Sequence, residues 1–365
     1  MINYAIIKSE VGGEVAVNKC KLFIVLALLI PSLIGLIACN NREPLAETTA
    51  GEVVVTDFET TIEETTEMEE IKEKASLDGK RVIFIGNSYV YYGRTVINQS
   101  SSVITQAERE NDKGFFYQLC KENGMEVNVT NWTFGGHGLA DFFGAPCAHS
   151  SSTCKGTRHE DELKKRYYDY VFVSPGGGAR QASTIADDFD NIIKFFKDAN
   201  PDVKIVCLAN LGCHGYSSFG TDLPEIYNYY PTLADKGVIM ADWGGLVYRI
   251  MHGIYKVPGG SQSYGKNTFI VKDGFHPNML AGYITTLMAY CAVTGESAVG
   301  QPYGFCNDVR VNAKFSFANY VKSYYTAEIT TNFPDVFASE GDMRGIQELV
   351  DRYIAEKGYL EVINK

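Results

Sequence analysis

Near the C-terminal end of the chain, Asp273-Gly274-Phe275-His276-Pro277-Asn278 sets an aspartate and a histidine three positions apart, just ahead of a helix-like stretch. Far upstream, Ile83-Phe84-Ile85-Gly86-Asn87-Ser88 ends an apolar run on a serine. Serine early and Asp-x-x-His late is the residue set of a hydrolytic triad. A serine hydroxyl is a weak nucleophile until an imidazole takes its proton, and that imidazole needs a carboxylate to fix its tautomer. The chemistry indicated is attack by Ser88, with His276 as base and Asp273 as the orienting carboxylate.

Such residues need elements to hold them. Short apolar runs predict strands over Arg81–Gly86, Glu126–Thr133, Tyr170–Val173, Lys204–Ala209 and Val238–Ala241. Helical periodicity falls between them, over Phe115–Lys121, Glu160–Tyr168, Ile185–Lys197, Tyr229–Ala234 and Leu246–His252, with a final helix from Met279 to about Val293. Strands alternating with helices predict a parallel sheet covered on both faces. Open sheets of this kind bind ligands outside the carboxyl ends of their strands. Ser88, Gly135-Gly136-His137-Gly138, Pro175-Gly176-Gly177-Gly178 and Asn210-Leu211-Gly212 all fall at such ends. Residues 298–365 are expected to form a helical extension packed on the same domain, with helices near Phe315–Tyr324 and Met343–Glu356.

Gly-Asn-Ser after the first strand, a glycine turn after the second and Asp-x-x-His-Pro before the last helix resemble the SGNH (GDSL-type) hydrolase superfamily, over roughly Arg81 to Gly295. The resemblance implies an α/β fold, a flavodoxin-like three-layer sandwich with a central parallel sheet of about five strands. It implies Ser88 as nucleophile, His276 as general base, Asp273 as its carboxylate, and an oxyanion hole built from the backbone N–H groups of Ser88 and Gly136. It implies no cofactor. One block departs: where the family carries Gly-x-Asn-Asp this chain reads Gly176-Gly177-Gly178-Ala179, so Gly178 occupies the place of an asparagine donor. Losing one such donor lowers rates by about 10²–10³. Asn210 and Gln181 are the candidates to replace it.

The N-terminus carries a targeting pattern. Lys19 and Lys21 precede the apolar run Leu22–Ile37, which is shorter than the roughly 20 residues a spanning helix needs. The run ends in Leu36-Ile37-Ala38-Cys39, which is similar to a bacterial lipobox and makes Cys39 the expected site of lipidation. Residues 1–39 are then a lipoprotein signal peptide. Residues 40–78 follow as an acidic Thr/Glu-rich tether, with twelve acidic residues against three basic ones. Too few apolar residues lie there to offset chain ordering, so a disordered, self-repelling spacer is expected. The overall charge of −11 resides mostly in this spacer. Residues 79–297 form the expected hydrolase-like domain, and residues 79–365 together are nearly neutral with no basic patch, which argues against nucleic acid as a partner. The expected location is the extracytoplasmic face of the cell envelope, anchored to the membrane by lipid.

Seven cysteines follow Cys39: Cys120, Cys147, Cys154, Cys207, Cys213, Cys291 and Cys306. An odd number cannot all pair. Cys147 and Cys154 flank a polar loop and are the plausible local disulfide, while Cys207 and Cys291 read as buried thiols. With His149 and His159 nearby, the same stretch invites a metal reading, but its spacing matches no zinc pattern, so no metal is expected. His137 and His214 read as structural or solvent-facing histidines.

Tyr89, Tyr91, Tyr92, Trp132, Phe134, Phe142 and Phe143 lie near the triad in sequence and suggest faces that stack on sugars or line an acyl pocket. A tethered serine esterase that deacylates, and specifically deacetylates, carbohydrate fits these features. The alternatives are a lysophospholipid or other lipid esterase, an O-acyltransferase on the same triad, and a non-catalytic glycan-binding lipoprotein on a degenerate hydrolase fold.

Overall fold

The computed structural model describes residues 74–92, 95–97, 109–147, 154–175, 184–210, 232–271, 273–274, 276–306, 309–311, 314–316 and 337–357. The expected signal sequence, Cys39 and most of the expected spacer lie outside these residues, as do Gly176–Gly178, Gln181, Cys213, His149 and His214. The described residues fall within one compact unit, Glu69–Lys365.

Five strands, β1 (Arg81–Gly86), β2 (Asn128–Thr133), β3 (Tyr170–Val173), β4 (Lys204–Cys207) and β5 (Ile239–Met240), pair in parallel in the order β2-β1-β3-β4-β5. Val82 to Ile85 and Val171 to Val173 are fully buried. This is why both strands read as unbroken apolar runs rather than alternating ones. Phe84 stacks on Phe172 at 4.6 Å across the β1–β3 pair, and Phe116 meets both rings edge-on.

The chain moves from β1 outward to β2, then returns past β1 to β3 and continues the other way. Right-handed crossovers taken in opposite directions place helices on opposite faces, and the β1/β3 junction becomes the switch point of the sheet. One face carries α2 (Phe115–Glu122), α5 (Trp243–Met251) and α7 (Met279–Thr294), which contact one another through α7. The short α1 (Ser88–Tyr91) opens from β1, α3 (His159–Leu163) precedes β3, α4 (Ile185–Ala199) links β3 to β4, and α6 (Lys266–Phe269) leads toward the Asp273 turn. The three-layer α/β architecture with a five-stranded parallel sheet is therefore as expected.

All sixteen residues of α7 are buried. A helix apolar on every side needs cover on every side, and the C-terminal region supplies it. Helix α8 (Glu340–Lys357) packs on α7. It is preceded by β6 (Val309–Val311), β7 (Lys314–Ser316) and β8 (Phe337–Ser339), a small antiparallel sheet. The extension is thus not wholly helical: residues 315 and 316, placed by periodicity at the start of a helix, lie in a strand whose bonds come from β6 and β8, and residues 317–324 lie outside the described residues. Such non-local pairing leaves little trace in local sequence.

Asp342, buried at the start of α8, fastens the extension to the domain. Its carboxylate accepts from Ser261 N and Oγ (2.7 and 2.8 Å), Ser339 N (2.7 Å) and the Tyr264 hydroxyl. Burial alone would raise its pKa, but hydrogen bonds from Tyr264, Ser339 and Ser261 outweigh that and hold it at about 2. The other boundary also shifts. Leu77 is fully buried and Ala75 N donates to Thr294 O at 3.0 Å, so the domain begins before residue 79.

Candidate active site

β1 ends at Gly86, where φ is +153° and an added Cβ would meet Ser174 at 2.9 Å. Glycine is required by that approach of β3. Asn87 follows as the cap of α1: its Oδ1 accepts from Tyr89 N at 3.1 Å, and its Nδ2 donates to His137 O at 2.9 Å. One buried side chain therefore starts the serine-bearing helix and ties it to the turn after β2.

Ser88, first in α1, meets His276 across 188 residues of sequence, with Oγ 2.7 Å from Nε2. Asp273 Oδ2 accepts from His276 Nδ1 at 2.7 Å, and Oδ1 accepts from His276 N at 3.1 Å. A carboxylate can only accept, so Nδ1 carries the proton and Nε2 presents its lone pair to the serine hydroxyl. The three residues form one hydrogen-bonded line.

Asp273 is available for this because another residue caps the helix behind it. Asn278 Oδ1 accepts from Leu280 N and Ala281 N at the start of α7, while its Nδ2 donates to Thr268 O. Val271 N to His276 O (3.0 Å) and Asn278 N to Phe269 O (2.8 Å) close the Asp-x-x-His turn from both sides.

Tyr92 braces the base. Its ring lies parallel to His276 with centroids 3.9 Å apart, and its hydroxyl is hydrogen-bonded to Asp273. Burial, then the Asp273 charge, push the phenol up to about 12, so it donates rather than accepts. Burial lowers the His276 pKa, while the hydrogen bond and charge of Asp273 oppose that shift. The imidazole is then neutral at neutral pH, as a base must be.

The expected oxyanion donors are only partly within view. Gly136 sits in the turn after β2 with φ +74°, a conformation that favours glycine. Gly178 and Gln181 lie outside the described residues. Asn210 does not fit the substitute role: its Nδ2 donates to both Pro175 O and Ser174 Oγ. With both amide hydrogens so placed, it braces the segment after β3.

The aromatic residues also differ from expectation. Tyr89, Tyr91, Trp132, Phe134, Phe142 and Phe143 are all buried, leaving Tyr92 half-buried beside the triad. Proximity in sequence does not distinguish a ring that lines a cleft from one that packs beneath it.

Cys147 and Cys154 are buried with their sulfurs 2.9 Å apart, beyond the roughly 2.05 Å of a disulfide, so the expected bridge is not formed in this structure. Both sulfurs adjoin His137, a residue that sequence alone places as structural or solvent-facing but that is only 1% exposed. Its position in a glycine turn obscured that role.

No family model and no curated protein matches the sequence. In structure the chain is similar to a candidate SGNH hydrolase from Slackia heliotrinireducens, at 16% identity over 60% of this chain and 99% of that one, with a TM-score of 0.37. It is similar to a candidate GDSL-like lipase from Parabacteroides merdae, at 16% identity over 61% and 99%, TM-score 0.41. A catalytic mutant of an acetylxylan esterase from Geobacillus stearothermophilus overlays at 11% identity over 60% and 95%, TM-score 0.39. At such identities and scores, the reading of the site rests on its own geometry.

Proposed function

We propose that this chain is a serine esterase of the SGNH type, hydrolysing carboxylic esters through an acyl-enzyme and removing acetyl groups from carbohydrate. The observation that supports this is the unbroken line from Ser88 Oγ through His276 to Asp273, with both links at 2.7 Å. A binding module has no need of a base whose tautomer is fixed from behind and whose lone pair faces a hydroxyl.

In this mechanism Ser88 Oγ attacks the ester carbonyl carbon as His276 Nε2 takes its proton. Asp273 stabilises the imidazolium that forms. The backbone N–H groups of Ser88 and Gly136 face the oxyanion. Collapse of the intermediate expels the alcohol, which receives the proton from His276 and leaves the acyl group on Ser88. Water, deprotonated by the same imidazole, then releases the carboxylic acid.

The lipobox-like sequence ending at Cys39 and the acidic stretch after it support a reading in which a lipid-anchored tether holds this chemistry at the cell envelope, where a tether suits extended acylated polymers. Among the described residues, no helix is long and apolar enough to cross a membrane. Lipid esters and acyl transfer to a sugar would use the same triad. Product analysis with a sugar acceptor present separates transfer from hydrolysis.

A fluorophosphonate probe should label the protein on the peptide containing Ser88, and acetylated oligosaccharide should release acetate. An unlabelled, inactive wild type would remove the esterase reading.

The pH profile follows from the base. His276 must be neutral to accept the proton, and burial lowers its pKa from 6.5. We expect kcat/KM on p-nitrophenyl acetate to rise with pH through an apparent pKa below 6.5 and then stay level through neutrality. Activity is lost on the acid side, as the imidazole protonates. An apparent pKa above 7 would contradict the assignment of His276 as a desolvated base.

A further inference from the structure

Four buried donors converge beside the turn after β2: His137, Cys147, Cys154 and His159, with one ligand atom from each lying within 4.8 Å of all the others. Along the chain they are spread over 23 residues with no zinc-like spacing. The fold draws them together by adding His137 from the glycine turn to the three donors of the following insertion. His149, the other histidine of that stretch, lies outside the described residues.

We propose that these four residues hold a structural zinc ion, with two thiolates and two imidazoles. Two thiols and two neutral histidines bind Zn²⁺ with release of two protons, leaving a centre of zero net charge. Four protein donors complete a tetrahedral shell and leave no position for substrate, so the ion is structural rather than catalytic.

Three observations carry the assignment. His137 Nδ1 can only donate to Gly135 O, 3.1 Å away, so Nε2 carries the lone pair. That nitrogen lies 3.1 Å from Cys154 Sγ and 3.4 Å from Cys147 Sγ. A histidine fixed by a backbone carbonyl and presenting its other nitrogen to sulfur has the usual arrangement of a metal ligand.

The second is His159. It is 1% exposed, and neither ring nitrogen has a hydrogen-bond partner. Leaving a buried polar group unsatisfied costs about 1–3 kcal/mol. Phe134, Phe142 and Trp132 surround the imidazole at centroid distances of 4.8, 5.0 and 5.8 Å, so water does not readily meet that need. Coordination satisfies one nitrogen outright.

The third is the backbone around the sulfurs. Cys147 N donates to Thr157 O, Gly156 N to Cys147 O and Thr157 N to Cys154 O, at 2.8–2.9 Å. These bonds hold Cys147 beside the turn that starts at Cys154, with the two sulfurs brought together. Tetrahedral zinc spaces two sulfurs about 3.8 Å apart, so binding would widen their 2.9 Å separation by about an ångström.

Such a site would pin the insertion to the turn that carries Gly136. Its partner His137 accepts at its carbonyl from Asn87, the residue before Ser88. The zinc inference stands on these donors alone, and does not depend on the esterase reading.

The test is metal content. Full-length protein, produced with zinc in the medium and purified under reducing conditions, should carry about one zinc per chain. An organomercurial thiol reagent should release it. Replacement by Co²⁺ should give tetrahedral d–d bands together with thiolate-to-cobalt charge transfer. Cys154→Ser and His159→Ala should each lower zinc content at least about tenfold. The wild-type release and cobalt spectra keep the test decisive if a variant fails to fold. Wild-type protein that takes up neither ion, or whose non-reducing digest shows Cys147 bridged to Cys154, would overturn the proposal. So would zinc retained in both variants, which would mark an adventitious ion only.

Discussion

Ser88→Ala should lower kcat on p-nitrophenyl acetate by about 10⁴-fold or more while leaving the thermal transition unchanged. The expectation of a clean loss comes from how Ser88 is held. Its helix is started by Asn87, and its hydroxyl points to His276. Among the described residues, removing that oxygen breaks only the triad link, and a small, partly buried side chain of this kind contributes within about 0.5 kcal/mol to stability. Asp273→Asn should act differently, keeping the nucleophile but unfixing the tautomer, because Nδ1–H would lose its charged acceptor. A loss of about 10⁴-fold is expected there too, with slow probe labelling retained. If Ser88→Ala kept activity within tenfold of wild type, the nucleophile would lie elsewhere. The block that reads Gly176-Gly177-Gly178-Ala179 sets the ceiling rather than the sign, since one absent oxyanion donor lowers rates by about 10²–10³.

What could be read from sequence follows from how local each determinant is. The runs at Val82–Ile85 and Val171–Val173 announce buried parallel strands because both faces of each strand are covered. Asp273 and His276 are legible because their contact is made within one turn, and Ser88 because it leaves a strand end. Three donors of the metal-like cluster, Cys147, Cys154 and His159, are legible as a group but match no zinc spacing, because the fourth, His137, joins from ten residues before Cys147 and from within a glycine turn. Tyr92 could be placed near the site, but not against the imidazole, because stacking depends on two loops meeting. Asn210 sits at a strand end as the resemblance would require, yet its amide is committed to Ser174 and Pro175. Strand-end position locates candidates; hydrogen-bond partners decide their roles.

The largest expected effect on stability comes from the C-terminal helix. A chain ending at Ser339 should fail to give a cooperative unfolding transition. Helix α8 buries Met343, Ile346, Leu349, Val350, Tyr353 and Ile354. Each such side chain contributes about 1.5–3 kcal/mol when removed from water, against a net stability of roughly 5–15 kcal/mol for a whole domain. Truncation would also expose α7, every residue of which is buried, and would strand polar partners that α8 satisfies. Tyr353 donates to Asp242 at 2.6 Å, where Asp242 is fully buried and caps α5. The fit is close at Gly345, where an added Cβ would lie 2.1 Å from Pro258 O. A milder test uses the full chain: Ile346→Ala should lower stability by about 2–5 kcal/mol in a denaturant titration without altering the slope. The consequence reaches the triad, because Asn278 starts α7 and Asp273 and His276 lie in the turn before it. A truncated chain that melted like the full one would show instead that α7 needs no cover.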